Sequence, residues 1–535
     1  MLAMQELLRK DPQEVAVPPA SNISDILSQA EIESLLALFD SRFSPWLHFS
    51  TDYLRRHPFL DLTKCTVAAR YLELTRRSSV IPRLSNLVDA YTFKFAFTSV
   101  QSMETVTALL ILSLWPPAPN SIDAPAHDSR MIASSAVSAA IQLSLNQAVP
   151  NAVKLVSSND AVSDADKEVA VNKVRLWLSL LSAEWMLCMG TSRTPTSQRS
   201  DLDYQVFDTV SPSSLNTSSR DLRLYFLTRI QSLAGKGLQI HLQDGPRALQ
   251  TFHDEIVENV LIQLEIVYTS IQPLGVTVDF ESYHFNMLVI QHHSCRLLVL
   301  YHILSELRRY DARTGQGQPE GPRTWYSGLK RTHDTAVREW GLDCLTTAQS
   351  LLVTFLSHPG PDREFLSTAP DSVFSIILMA AALVVLGKTS VLRYYKGAEK
   401  VVLIASEELM PKVIARLNRI ADISESAHKC AEVIGVLLRT WKAEARVRSS
   451  GLLQWQPSAI ASPEDTPGAS SSSSDFSTAQ HQHHGMPDLQ TGQHHNSNNY
   501  DFENVFSHPV NQEMFLDVEF WNTFAQSTVE NNLSR

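Results

Sequence analysis

Apolar residues recur at three- and four-residue spacing through most of residues 21–448, which is the pattern of amphipathic helices. The run from Val174 to Gly190 shows it most clearly. One face of that run is apolar throughout and consists of Val174, Trp177, Leu178, Leu181, Trp185 and Cys188. Glycine adopts the left-handed conformation that ends many helices, so Gly190 is expected to stop this one.

The same spacing predicts helices in most of the remaining body, whereas strand alternation and short internal repeats are missing from the sequence. The predicted helices cover residues 29–39, 57–72, 102–115, 130–146, 222–242, 248–271, 283–309, 335–356, 372–386 and 401–447. Pro411 is expected to divide the last of these. Pro150–Asp166 and Pro195–Ser219 are polar and predict surface loops. The fold class is therefore all-α, a multi-helix bundle followed by a disordered C-terminal tail.

Changes in composition suggest four segments. Residues 1–20 form a flexible leader and residues 21–448 the helical body. An internal joint is expected near 311–322, which holds three glycines. Residues 449–498, rich in Ser, His and Gln, have too little apolar content to fold and predict a disordered linker. Residues 499–535 differ in composition from both the body and the linker.

Several sequence features limit the cellular compartment in which the protein can reside and the partners that it can have. The longest apolar run, Ser372–Gly387, is shorter than the roughly 20 residues that cross a bilayer, so it predicts a buried core helix and no membrane partner. Met1–Asp11 lacks the apolar core of a signal peptide. The five cysteines are scattered singly, which favours reduced thiols in an intracellular protein over disulfides or a metal cluster.

The net charge of −11 is concentrated in the tail. Residues 449–534 hold ten acids and no Lys or Arg, so the other residues hold 46 acids (56 − 10) and 45 bases. Because this remainder is nearly balanced, the body should not bind nucleic acid through bulk charge.

Residues 499–535 interleave acids with large apolar groups, which is typical of acidic activation segments. The apolar members are Met514, Phe515, Leu516, Val518, Phe520, Trp521 and Phe524. Glu513, Asp517 and Glu519 would keep them accessible to a groove on a coactivator. The alternative is a terminal helix that packs back onto the body.

No pattern predicts a catalytic, cofactor-binding or metal-binding residue. His292, His293, Cys295 and His302 fall on one predicted helix. At 1.5 Å rise per residue, Cys295 and His302 are about 10 Å apart along its axis, too far to share an ion. The tail histidines, at 481, 483, 484, 494 and 495, are read as solvated low-complexity sequence.

The residues around the Val174 helix resemble the signature of the fungal-specific transcription factor domain. The matching positions are Arg175, Trp177, Glu184, Gly190 and Arg193. Residues 102–115 and 130–146 resemble the first two core helices of that domain. This chain departs from the family in having Glu at 184, where Asp is usual, and in its Gly190–Pro195 turn, where Gly-Arg-Pro is usual.

The resemblance implies a helical regulatory region that follows a binuclear zinc-cluster DNA-binding module. It further implies a nuclear regulator of RNA polymerase II promoters, with promoter DNA, coactivators and a second copy of the chain as partners. The six-cysteine cluster has no counterpart here. An upstream segment carrying it is favoured over regulation without direct DNA binding, and zinc is expected only if that cluster exists.

Within the family, Ser24–Trp46 resembles the start of this region in activators of secreted proteases from filamentous fungi, which implies control of secreted protease genes. The sequence does not favour an enzyme. The open alternative is a helical small-molecule sensor or enzyme with a pocket inside the bundle.

Overall fold

A computed structural model describes most of the helical body. The described residues are 22–96, 98, 102–117, 128–157, 163–189, 195–197, 203, 206, 219–245, 247–274, 282–313, 334–357, 365–394 and 408–449. They are helical or lie in short turns, and none of them forms a strand. The all-α prediction is confirmed.

The N-terminal half contains helices α1 to α8. Their bounds are α1 Gln29–Leu38, α2 Pro58–Ala68, α3 Leu74–Ala96, α4 Met103–Leu114, α5 Ser129–Gln142, α6 Ala148–Ser157, α7 Asp164–Cys188 and α8 Ser219–Gln239. After α1 the chain continues through a π turn, Phe39–Phe43, and a 3₁₀ turn, Ser44–Trp46. Proline in that 3₁₀ turn ends the first helical segment, as its missing N–H requires.

The C-terminal half contains α9 to α15. Their bounds are α9 Ala248–Ile256, α10 Ile262–Ile271, α11 Ser282–Arg313, α12 Asp334–Ser357, α13 Asp371–Tyr394, α14 Leu409–Asn418 and α15 Glu425–Ser449. A π turn, Val257–Leu261, joins α9 to α10.

One contiguous hydrophobic core runs through both halves, from Ile26 to Leu438. Helices α11, α12, α13 and α15 pack in succession, each against the next. The apolar run predicted as core lies in α13, where Ile376 and Ile377 are fully buried. Among the described helices, none is both long and apolar enough to cross a membrane.

Helix α3 was not among the predicted elements. Its interior holds Pro82 and several basic residues, which weaken the apolar signal. Its buried face consists of Val80, Leu84, Leu87 and Val88. Arg76 binds the carboxylate of Glu31 on α1 through Nε at 2.8 Å and Nη2 at 2.9 Å, so tertiary contacts hold a helix that sequence propensity does not suggest.

Two local predictions are wrong. Pro150–Asp166 was predicted as a surface loop, but α6 covers its first half and buries Ala152. Pro411 was predicted to break a helix, but it lies in the first turn of α14, and the break falls between α14 and α15. Both prolines occupy first-turn positions, where no backbone N–H is needed for a helical hydrogen bond.

The proposed segment boundaries stay predictions. Helices α11 and α12 pack against each other, while most of the expected joint, residues 314–322, lies outside the described residues. The leader 1–20, the linker 450–498 and the segment 499–535 also lie outside them.

Candidate functional site

Arg175 of α7 forms a buried two-pronged ion pair with Asp221 of α8. Its Nε and Nη2 atoms each lie 2.7 Å from a carboxylate oxygen of Asp221. Its Nη1 donates to Glu168 and Asn172, also at 2.7 Å. Although burial opposes the charge, the two carboxylates raise the pKa of Arg175 above its ordinary value. The predicted signature arginine therefore fixes α7 against α8.

Glu184, the second signature residue, is fully buried and holds the segment that follows α7. Its carboxylate accepts from the backbone N–H groups of Thr196 at 2.9 Å and Ser197 at 3.0 Å. It also accepts from the hydroxyls of Ser197 and, at 3.2 Å, Ser134 of α5. Glu184 thus ties the chain after α7 to both α7 and α5.

The two signature-helix tryptophans are buried, as predicted. Trp177 is 5% exposed and Trp185 is 8% exposed. A contact with the helix at 102–115 was predicted for both, and α7 does pack on α4. Trp185 also faces α8, where a Cβ added to Gly235 would lie 3.4 Å from its Nε1.

A cavity lies beside the same helix. It encloses about 810 Å³ of empty space, counted with its opening to solvent. Its walls come from α4, α7, α8 and α11, from the turn at 46–48 and from the start of α13. Most of the wall is apolar, including Leu110, Met186, Leu227, Met287 and Val373.

Several polar side-chain atoms in this wall are buried without a hydrogen-bond partner among the described residues. They include His48 Nδ1, Ser179 Oγ, Ser182 Oγ and Gln291 Oε1. Ser179 and Ser182 are three positions apart on α7 and so share one face of that helix. Buried polar groups are rarely left without partners, because each costs about 1–3 kcal/mol when unpaired.

Arg223 is the one charged residue that lines the cavity within the described part of the chain, and its Nη1 donates to the Pro45 carbonyl at 3.2 Å. Burial, together with the charges of Arg223 and Arg220, lowers the pKa of His48 to about 3. His48 is therefore a neutral imidazole near pH 7.

Residues 25–263 match a family model described as the transcriptional activator of proteases prtT middle domain. These residues are similar to that middle domain. Comparisons with curated proteins and with solved structures give no match. The match confirms the resemblance of the N-terminal region to protease activators.

The PrtT-like domain contains the signature contacts and only part of the cavity. Arg175, Trp177 and Glu184 lie within the matched residues. The wall residues from α11 and α13, such as Gln291 and Val373, lie beyond them. The cavity is therefore formed jointly by the PrtT-like domain and the helices that follow it.

The histidines considered as metal ligands are separated. His292 Nε2 donates to the Leu264 carbonyl at 2.9 Å, whereas His302 Nε2 donates to the Ile240 carbonyl at 2.8 Å. All five cysteines are buried and free of disulfides.

Sequence reasoning missed a cluster made by His302 with His241 and Glu306, whose potential ligand atoms lie within 4.8 Å of one another. Glu306 already accepts from the Leu242 N–H at 3.0 Å and from Arg309 at 2.8 Å. These hydrogen bonds hold the chain that follows α8 against α11. His241 and Glu306 are 65 positions apart, so spacing gave no signal.

The other predicted site residues fall outside the described residues. They are Gly190 and Arg193 of the signature, and Met514, Phe515, Leu516, Val518, Phe520, Trp521 and Phe524 of the activation segment. Helix α7 ends at Cys188, two positions before the predicted glycine stop.

Proposed function

We propose that this protein is a nuclear activator of RNA polymerase II genes, and that its targets are genes for secreted proteases. The observation that carries the proposal is the match of residues 25–263 to the PrtT-like middle domain, together with that family's description. A catalytic activity forms no part of the proposal.

The helical body would serve as the regulatory part of this activator. Its ion pairs and buried tryptophans fix the helices relative to one another. A rigid body of this kind would connect the DNA-binding module to the activation segment. The residues outside 449–534 hold 46 acids and 45 bases, and this near balance gives no strong field for DNA. Promoter DNA would therefore be contacted by a six-cysteine zinc cluster outside this sequence, with zinc bound there, or by a partner protein.

Residues 499–535 would recruit coactivators. Met514, Val518 and Trp521 fall at positions i, i+4 and i+7, so a helix formed on binding would place them on one face. The neighbouring acids would keep the free segment soluble. A few aromatic anchors must then supply the affinity, because folding on binding consumes much of the contact energy.

A reporter assay tests this function. The full chain is fused to an unrelated DNA-binding domain and compared with the same fusion ending at residue 498. We expect the full fusion to activate the reporter and the shortened fusion to lose that activity. The full chain without the added DNA-binding domain is the control and should leave the reporter silent. A silent full fusion, expressed at normal level, would contradict activation.

A further inference from the structure

We propose that His241, His302 and Glu306 form a binding site for a divalent transition-metal ion such as Zn²⁺, which links the chain after α8 to α11. The potential ligand atoms, one from each residue, lie within 4.8 Å of one another. The site is independent of the proposed function, because it depends only on how these three side chains are placed.

The separation of two of these side chains is that of a tetrahedral zinc site. Zinc binds imidazole nitrogen and carboxylate oxygen at about 2.0–2.2 Å, so two ligands of a tetrahedral site lie about 3.4 Å apart. His241 Nδ1 and Glu306 Oε1 are 3.5 Å apart. The third ligand, from His302, must then move inward by at most about 1.4 Å, the excess of 4.8 Å over that separation.

His302 is held in the way that proteins commonly hold a ligating histidine. Its Nε2 donates to the Ile240 carbonyl at 2.8 Å, so Nδ1 is the unprotonated nitrogen of the neutral ring. A hydrogen bond from one ring N–H to a backbone carbonyl fixes the ring while the other nitrogen binds a metal. Burial lowers the pKa of His302, which keeps the ring neutral near pH 7.

Glu306 supplies the negative charge of the site. Its side chain is 4% exposed, and its Oε2 accepts from the Leu242 N–H at 3.0 Å, which orients the carboxylate with Oε1 towards His241. His302 and Glu306 are four positions apart on α11, so they share one face of that helix.

Arg309 is the cation that would compete with the metal. Its Nη1 donates to Glu306 Oε1 at 2.8 Å. The Arg309 side chain is 61% exposed, so it can turn into solvent when an ion binds. Metal binding therefore replaces one contact of Glu306 and leaves the Leu242 contact in place.

The donor set selects the kind of ion. Two imidazole nitrogens and one carboxylate oxygen suit zinc and neighbouring transition metals, whereas magnesium and calcium prefer oxygen ligands. Three protein ligands leave a fourth position for water. The site should therefore discriminate strongly between Zn²⁺ and Mg²⁺.

The ion would connect two stretches of the chain. His241 lies within the residues that match the middle-domain model, while His302 and Glu306 lie beyond them. An ion that binds only when these stretches are packed together stabilises the folded body by mass action.

The test titrates metal-stripped full chain with Zn²⁺ in competition with a chromogenic chelator. We expect the parent to bind one more Zn²⁺ ion than His241→Ala, which loses an exposed ligand. Both chains carry the histidines of residues 481–495, so the difference reports the proposed site alone. Equal Zn²⁺ binding by the two chains would overturn the proposal and show that the cluster is only a hydrogen-bonded ion pair.

Thermal unfolding identifies the ion and its effect on the fold. Zn²⁺ should raise the unfolding temperature of the parent more than that of His241→Ala, whereas Mg²⁺ at the same concentration should raise neither. An equal effect of Zn²⁺ on both chains would contradict the link between the two stretches. Equal stabilisation of the parent by Mg²⁺ would overturn the choice of a transition metal.

Three further variants locate the ligands. Glu306→Gln keeps an acceptor for the Leu242 N–H and removes the charge. It should weaken Zn²⁺ binding at least about 100-fold, since loss of an outer-shell partner alone costs about 10–100-fold. Arg309→Gln removes the competing cation and should tighten binding. His428→Ala, at an exposed histidine of α15, is the matched control and should bind as the parent does. Normal binding by Glu306→Gln, checked to be folded by circular dichroism, would refute the assignment.

Discussion

Arg175 and Asp221 are joined by two parallel hydrogen bonds of 2.7 Å between helices α7 and α8. The side chains are 11% and 8% exposed, so the pair is largely withdrawn from water. Removal of one partner leaves the other as a buried charge, which costs more than the pair itself contributes.

We therefore predict that Arg175→Ala lowers the free energy of unfolding by about 3–5 kcal/mol. Asp221→Ala should lose less, because Glu168 and Asn172 still bind Arg175, and the double variant should lose much less than the sum of both. Arg175→Lys should restore only part, because an ammonium group cannot make the two-pronged contact. Urea unfolding measures all four, and additive losses would show that the pair is not coupled.

Two glycines on α8 give a matched test of packing against the signature helix and the core. A Cβ on Gly235 would lie 3.4 Å from Trp185, an ordinary contact, whereas one on Gly237 would lie 3.0 Å from Val260 and 3.1 Å from Val299. Alanine at either position gains the same helix propensity. We expect Gly237→Ala to be less stable than Gly235→Ala by about 1–3 kcal/mol, from overpacking. Equal thermal midpoints would contradict the close approach.

Truncation of the buried tryptophans tests the core directly. Trp177→Ala and Trp185→Ala should each reduce the free energy of unfolding by about 3–5 kcal/mol, through lost burial and a cavity. Trp340 is similarly buried, at 7%, and lies on α12, so Trp340→Ala tests whether the effect is general to the core. An unchanged midpoint for both α7 variants would remove that helix from the core.

Buried His292 makes stability depend on pH. Burial, with the positive charges of His293 and Arg296, lowers its pKa to about 3, against 6.5 for an ordinary histidine. Between these values the unfolded chain binds a proton that the folded chain excludes. The contribution of His292 to the free energy of unfolding is therefore fully present above pH 6.5. Below pH 6.5 the free energy of unfolding falls by about 1.4 kcal/mol per pH unit.

His292→Gln should reduce the overall slope by that amount, since glutamine can still donate to the Leu264 carbonyl but does not titrate. The lowered pKa values of His48 and His293 leave the rest of the slope in place. Urea unfolding at pH 7, 6, 5 and 4.5 measures the slope of the free energy of unfolding in the parent and in the variant. An identical pH dependence in the parent and His292→Gln would show that His292 is protonated in the folded state.

Periodicity predicted much of the fold but few of its contacts. The apolar face of α7 was sufficient to predict the helix and the burial of Trp177. Helix α3 escaped prediction because Pro82 and its basic residues mask a face that only tertiary contacts with Glu31 and the core stabilise.

The site was harder to predict for a related reason. Arg175 was singled out by resemblance, but its partner Asp221 lies 46 positions away, beyond a predicted loop. Ser179 and Ser182 look unremarkable on α7, since their significance arises only when His48 and Gln291 are brought to the same cavity. The spacing of residues within one helix does not show which distant segments will pack against that helix.

The activation segment gives a prediction that is independent of the fold. In the reporter fusion, replacing Phe515, Phe520 and Trp521 together with Ala should abolish activation. Glu513→Ala should weaken it only slightly, because the acid contributes to solubility rather than to the docking surface. Protein levels are matched by immunoblot. Full activity of the triple variant would show that coactivators do not bind through these aromatic groups.

The central proposal is that this protein activates genes for secreted proteases. RNA sequencing after rapid depletion of the protein in the organism that encodes it, with chromatin immunoprecipitation of the tagged protein before depletion, tests it most directly. The account predicts that secreted-protease transcripts fall and that the protein occupies their promoters. Unchanged protease transcripts, with no occupancy at those promoters under conditions where the genes are expressed, would contradict it.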